Sequence, residues 1–159
     1  MLLRFVLIIS CLVLYSGCKA VNQGIGGVLN LETNIQVEFT VASNINPDSQ
    51  QQPSPLFIRM YALRSPILFE QADFIQLYEH DKKQLGQDYI SQAELRRFVP
   101  GQNRTEQFTV NDEAKYVGFF AEFNDFENTA YKLVVPVTSN NVIRDRIRIR
   151  VSGNRLELR

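Results

Sequence analysis

From Leu29 onward the chain alternates with period two: Leu29, Leu31, Thr33, Ile35, Val37, Phe39 and Val41 interleave with Asn30, Glu32, Asn34, Gln36, Glu38 and Thr40. Successive side chains on a strand point to opposite faces, so the pattern predicts one long half-buried strand over 29–41. A second strand is predicted over 55–63, and its apolar residues fall on both faces, which implies deeper burial. Between 68 and 78 the period becomes helical. On a wheel, Leu68, Ala72, Phe74, Ile75 and Tyr78 share one broad arc, with Leu77 on the far side. Ser91-Gln92-Ala93-Glu94 has the form of a capping box and predicts a short helix ending before the Pro100-Gly101 turn. Five further strands are predicted over 105–110, 116–123, 130–137, 143–151 and 155–158, bounded by Asn, Asp and Gly clusters. Seven strands, one helical insertion and no internal repeat point to a mainly β chain folded as a two-sheet β-sandwich.

Composition narrows the function classes. At 159 residues, 45% hydrophobic and 21% charged, the chain suits one globular domain. Its 17 basic and 17 acidic side chains balance, so it lacks the strong basic field of a nucleic-acid binder. His80 is the only histidine and has no histidine or cysteine partner at ligand spacing, so no metal site is expected. No Gly-x-Ser-x-Gly elbow, Walker loop or His-Glu-x-x-His motif occurs. Asp73, Asp81 and Asp88 read as exposed polar positions rather than an acid–base pair. Neither catalytic residues, nor a cofactor, nor a small-molecule substrate is expected.

The N-terminus carries one positive charge at Arg4 and an apolar run over 5–15 broken only by Ser10. Spanning a bilayer takes about 20 apolar residues, so this segment reads as an export signal instead. It ends in Ser16-Gly17-Cys18, which resembles a bacterial lipobox with Tyr15 in the aliphatic position. A thiol there can be alkylated with diacylglycerol, and cleavage before it frees an amine for a further acyl chain. One chain holds a protein only marginally, with an association constant of about 10⁴ M⁻¹, whereas two or more anchor it stably. Cys11, the only other cysteine, would leave with the signal, so no internal disulfide can form. The competing reading of Cys18 is a spare thiol near the end of a secreted protein. Residues 19–28 contain three glycines and no periodicity, as a flexible leash would. The expected organisation is a lipoprotein signal over 1–17, a lipidated cysteine and linker over 18–28, and a sandwich domain over 29–159.

Two surface features stand out. Asn44, Ile45, Asn46, Pro47, Asp48, Ser49, Gln50, Gln51, Gln52 and Pro53 have neither apolar periodicity nor charge density, and predict a long exposed loop. Arg144, Arg146, Arg148 and Arg150 alternate with Asp145, Ile147, Ile149 and Val151, which on a strand sets four guanidinium groups on one face. That face reads either as a solvated surface that discourages edge-to-edge aggregation, or as a contact for an acidic partner or lipid phosphates.

The lipobox, the glycine-containing leash and Asn46-Pro47-Asp48 in a long loop occur with Ser54-Pro55-Leu56-Phe57-Ile58-Arg59-Met60-Tyr61-Ala62-Leu63. Then follow Phe69, Ala72-Asp73-Phe74, Leu77, Asp81, Leu85-Gly86, Asp88, Pro100-Gly101 and Tyr116-Val117-Gly118-Phe119-Phe120-Ala121. In this order and spacing the chain resembles the TssJ (SciN/VasD) family, the outer-membrane lipoproteins of type VI secretion systems. Tyr131 stands where many relatives carry tryptophan. The resemblance implies a transthyretin-like β-sandwich with an added helix, facing the periplasm from the outer membrane through acyl chains on Cys18. It also implies a partner, the periplasmic C-terminal region of the IcmF-like inner-membrane protein TssM, bound through the loop between the first two strands, here residues 44–53. On the residues alone, a periplasmic ligand- or sugar-binding module and a hydrolase with an unsigned carboxylate pair also stay open.

Overall fold

In the computed structural model, which describes residues 33–127, 129–138 and 145–159, β1 (Thr33–Val41) alternates buried and half-buried side chains along its whole length. The signal segment, Cys18, the linker, positions 29–32 and Arg144 lie outside the described residues. β1 forms the centre of a four-stranded sheet with β4 (Arg104–Val110), β7 (Asp145–Ser152) and β8 (Arg155–Leu158), in the order β4-β1-β7-β8. β1 and β7 run parallel, Ile35 opposite Asp145 and Val41 opposite Val151, and the other pairings are antiparallel. β7 and β8 are joined by a tight turn in which Gly153 takes φ 54°, a conformation open to glycine at little cost. The second sheet, β3-β2-β5-β6, is antiparallel throughout and consists of β3 (Tyr89–Glu94), β2 (Ile58–Leu63), β5 (Tyr116–Ala121) and β6 (Lys132–Pro136).

The inner faces meet in one core. Ile35, Val37 and Phe39 of β1 and Ile147, Ile149 and Val151 of β7 face Met60, Val117 and Phe119 of the second sheet. Phe39 sits edge-on to Phe98 at 4.8 Å and to Phe119 at 6.1 Å, the geometry aromatic quadrupoles favour. The buried hydrophobic side chains of the described residues all fall between Ile35 and Leu156, so the sandwich carries its own core.

Two helices, α1 (Ile67–Gln71) and α2 (Phe74–Leu85), cover the outer face of the second sheet. Phe69, Ala72, Phe74, Leu77 and Leu85 pack there with Tyr61 and Phe120. Covering both faces explains why β2 and β5 lose the alternation that β1 keeps. The tightest contact is at Gly118, where a Cβ would lie 3.0 Å from Cζ of Phe69 and 3.1 Å from both Cε atoms. A cation holds α1 at its C-terminal end. Lys132 donates to the carbonyls of Phe69, Glu70 and Ala72, the C-terminal end of α1, where a positive charge complements the helix dipole. Burial there pushes its ammonium pKa down, against the pull of Glu70 and Asp73.

The structure corrects several sequence expectations. The single helix over 68–78 is two, because the backbone becomes extended at Ala72 and Asp73 starts a new helix. Asp73 accepts from the Gln76 N–H at 2.8 Å and its own N–H donates to the Gln76 side chain at 2.9 Å, so the capping box lies here. A wheel drawn across that break misplaces the faces: Leu77 is fully buried, while Ile75 and Tyr78 are exposed. Ser91-Gln92-Ala93-Glu94 is no helix start but the body of β3, with Ser91 opposite Ala62 and Glu94 opposite Arg59. Nor are Asp81 and Asp88 exposed. Asp88 is 6% exposed and accepts from the Leu68 N–H at 3.3 Å. Asp81 accepts from the Tyr61 hydroxyl at 2.9 Å and lies 3.5 Å from Arg59. Burial and the neighbouring Asp81 carboxylate raise the pKa of that hydroxyl, keeping it a neutral donor. Arg59 also donates to Glu122 at 2.6 Å and to the carbonyls of Leu77 and Tyr78, just before α2 kinks at His80.

Candidate functional site

The loop between β1 and β2 is only partly the exposed segment that its composition predicts. Ile45 is fully buried and Asn46 is 2% exposed, so the start of the loop is a fixed base. Asn46 adopts φ 47°, a left-handed conformation that asparagine tolerates better than most residues. Its N–H donates to the Gly153 carbonyl at 2.9 Å and its side-chain amide to the Pro55 carbonyl at 2.8 Å. Its side-chain oxygen accepts from the Asn124 N–H at 2.8 Å. Ser54 Oγ closes the ring by donating to the Asn46 carbonyl and accepting from Asn124 Nδ2 at 2.9 Å. Three segments far apart in sequence thus converge on one asparagine.

Above this base, Asp48 builds a closed turn. Its carboxylate accepts from the N–H groups of Gln50 at 2.8 Å and Gln52 at 2.9 Å, and its backbone N–H and carbonyl bond Gln52 and Gln51. Gln51 takes φ 62° within it. Ser49, Gln50, Gln51, Gln52 and Pro53 are left exposed on a turn that Asp48 ties at Gln50, Gln51 and Gln52. A cleft of about 340 Å³ runs beside the turn, lined by Pro47, Asp48, Ser49, Gln51, Asn124, Asp125 and Asn154. The loops that follow β3, β5 and β7 reach the same end, since the Gly101 N–H donates to the Ala42 carbonyl at 3.1 Å and Asn124 and Gly153 hold Asn46. Asn124 carries no signal in the sequence, and Ser54 stands there only as the first residue of the 54–63 stretch. Nothing in the chain advertises a bond between residues 78 positions apart.

Of the arginine series, Arg146, Arg148 and Arg150 lie on the outer face of β7, exposed, with Ile147, Ile149 and Val151 buried opposite them. Glu38 on β1 stands between two of them, 3.3 Å from Arg146 and 3.1 Å from Arg148. The series and the loop are therefore separate sites: one a sheet face, the other a strand end. Among the described residues there is no group of three or more His, Cys, Asp or Glu side chains placed to hold a metal ion. No described helix is long and apolar enough to cross a membrane.

Solved structures share this architecture. The chain superposes on the type VI secretion lipoprotein TssJ1 from Pseudomonas aeruginosa with a TM-score of 0.73 at 24% identity, covering 80% of this chain and 95% of that one. It superposes on Serratia marcescens Lip, a membrane-bound component of the type VI secretion system, with a TM-score of 0.71 at 21% identity, covering 80% and 97%. A chain of the structure described as the TssM C-terminal domain (869–1107) from EAEC gives 0.67 at 23% identity, covering 79% and 97%. At these identities the likeness establishes the fold. No curated protein matches the sequence. Residues 33–154 match the family model T6SS-SciN, described as type VI secretion lipoprotein, VasD, EvfM, TssJ, VC_A0113. With that match spanning most of the chain, and both sheets and both helices within it except the last strand, the protein belongs to the type VI secretion lipoprotein family.

Proposed function

We propose that the chain is an assembly lipoprotein without catalytic activity, held at the outer membrane by acyl groups on Cys18. Its loop 44–53 binds the periplasmic C-terminal region of TssM and so ties the trans-envelope complex to that membrane. The observation that carries this reading is the prebuilt loop. Ordering a free backbone costs about 1–2 kcal/mol per residue, and here Asn46 and Asp48 have met that cost before any partner arrives. The exposed tip offers amides and a proline, suited to docking against another backbone. Family membership supports the lipid anchor, and the similarity to a chain in a TssM structure supports the choice of partner.

The partner claim is tested by pull-down with the periplasmic part of TssM. Replacing residues 46–52 by a short Gly/Ser turn is expected to abolish capture while the sandwich stays folded, and undiminished capture removes the loop from the interface. The anchor is tested separately by fractionation after a high-salt wash. Cys18→Ser is expected to move the protein from the membrane to the soluble periplasmic fraction. Retention in the washed membrane would defeat the acyl-anchor reading.

A further inference from the structure

We infer that the outer face of the first sheet is a second membrane contact, an electropositive surface that lies against anionic phospholipid headgroups. The inference extends the lipid-anchored reading above, but it rests on a different part of the molecule.

Alternation settles which side chains point outward. With Ile147, Ile149, Val151 and Leu156 buried, Arg146, Arg148 and Arg150 of β7 and Arg155 and Glu157 of β8 face away from the core. The outward positions of β1 and β4 are uncharged apart from Glu38. Four arginines thus face two glutamates, a local excess of positive charge in a chain whose 17 basic and 17 acidic groups balance as a whole. The helices cover the outer face of the other sheet, and no described element covers this one. Arg146 and Arg148 remain 56% and 54% exposed even while paired with Glu38. A guanidinium keeps free donors beyond one carboxylate contact, and its planar fork matches phosphate oxygens.

Position argues for a membrane rather than an acidic protein. β1 and β7 are parallel, so Arg146 lies at the end of the sheet where the chain enters β1 from the direction of Cys18. The stretch from Cys18 to Thr33 spans at most about 50 Å even when fully extended. A tether this short holds the basic face near the bilayer at high effective concentration, where weak headgroup contacts suffice. The acyl chains fix the protein to the bilayer, and a basic patch adds an electrostatic contact that fixes which face lies against it. With this face down, the partner loop points along the membrane and the helices point into the periplasm, so the two contacts do not compete.

The test uses residues 18–159 carrying Cys18→Ser, co-sedimented with vesicles of phosphatidylethanolamine and phosphatidylglycerol or of phosphatidylcholine alone. Binding is expected to the phosphatidylglycerol vesicles only, and to weaken as salt shortens the Debye length. Arg146→Gln/Arg148→Gln/Arg150→Gln is expected to weaken it by about 100-fold, at roughly fivefold per arginine. Glu38→Gln should tighten it severalfold, a change that a merely structural role for Glu38 would not produce. If the triple variant melts early, Glu38→Gln and the salt response still decide. Equal binding to phosphatidylcholine, or no response to either variant, overturns the inference. So does loss of TssM capture by the triple variant with vesicle binding unchanged, which would assign the face to a protein. Because the test protein lacks Cys18, failure here leaves the acyl anchor standing, and failure of the anchor leaves this result standing.

Discussion

Replacing Phe69 with alanine is expected to lower the unfolding free energy by about 4 kcal/mol, the usual cost of emptying a fully buried phenylalanine site. For a domain of this size that corresponds to a fall of roughly 15 °C in Tm. Phe69 and Ala72 are the buried anchors of the α1 segment, and a five-residue helix has no stability apart from its packing. The ring lies on the bare backbone of Gly118, 5.6 Å from Tyr61. Undocking it would uncover Tyr61 and Phe120, so local opening offers no inexpensive escape. The converse change, Gly118→Ala, pushes a methyl group to 3.0 Å from the ring tip and is expected to cost about 1–3 kcal/mol. Phe69→Leu lacks the atoms that the new methyl strikes. The double variant Gly118→Ala/Phe69→Leu should therefore be more stable than the sum of its single changes predicts, by about 1 kcal/mol. Strict additivity in denaturant melts would show that the two residues do not share this contact.

The sandwich was legible because its strands announce themselves locally. β1 and β7 each bury one face and leave the other wet, so period-two patterning survives in the sequence. β2 was legible too, for the opposite reason: both of its faces are covered, and it reads as a continuous apolar run. The helical region failed where a local motif competed with tertiary pairing. Ser91 and Glu94 carry the letters of a capping box, yet their backbone groups find better partners along β2 than in a helix. The operative box, Asp73 with Gln76, sat inside a stretch whose apolar residues looked continuous. For the loop, length and polarity were visible, but its rigidity was not. That rigidity comes from Asn124 and Gly153, which only the fold brings to Asn46. The arginine series shows the same limit: its face could be read from alternation, whereas Glu38 came into register only through the β1–β7 ladder.

Asn46→Ala is expected to unlock the partner loop while leaving the sandwich standing. The substitution strands the Pro55 carbonyl and the Asn124 N–H, each worth about 1–3 kcal/mol when left unpaired in a buried setting. It also places alanine at φ 47°, a left-handed conformation that costs about 1 kcal/mol more. Together these exceed what the loop can absorb in place. The core itself draws on β1, β7 and the second sheet, so the chain relieves the strain by opening the loop rather than unfolding. The Tm should therefore fall by only a few degrees, while the amides of Ser54 and Asn124 lose hydrogen-exchange protection. If the prebuilt loop is the TssM contact, binding must then bear the ordering cost again, and Kd should rise by about 10- to 100-fold. Asn46→Gly separates the two causes. It accepts the backbone conformation but makes neither side-chain bond, so it should recover only the conformational part of the loss. Protected amides in Asn46→Ala would refute the clamp. Lost protection with an unchanged Kd would leave the clamp intact and take the loop out of the interface.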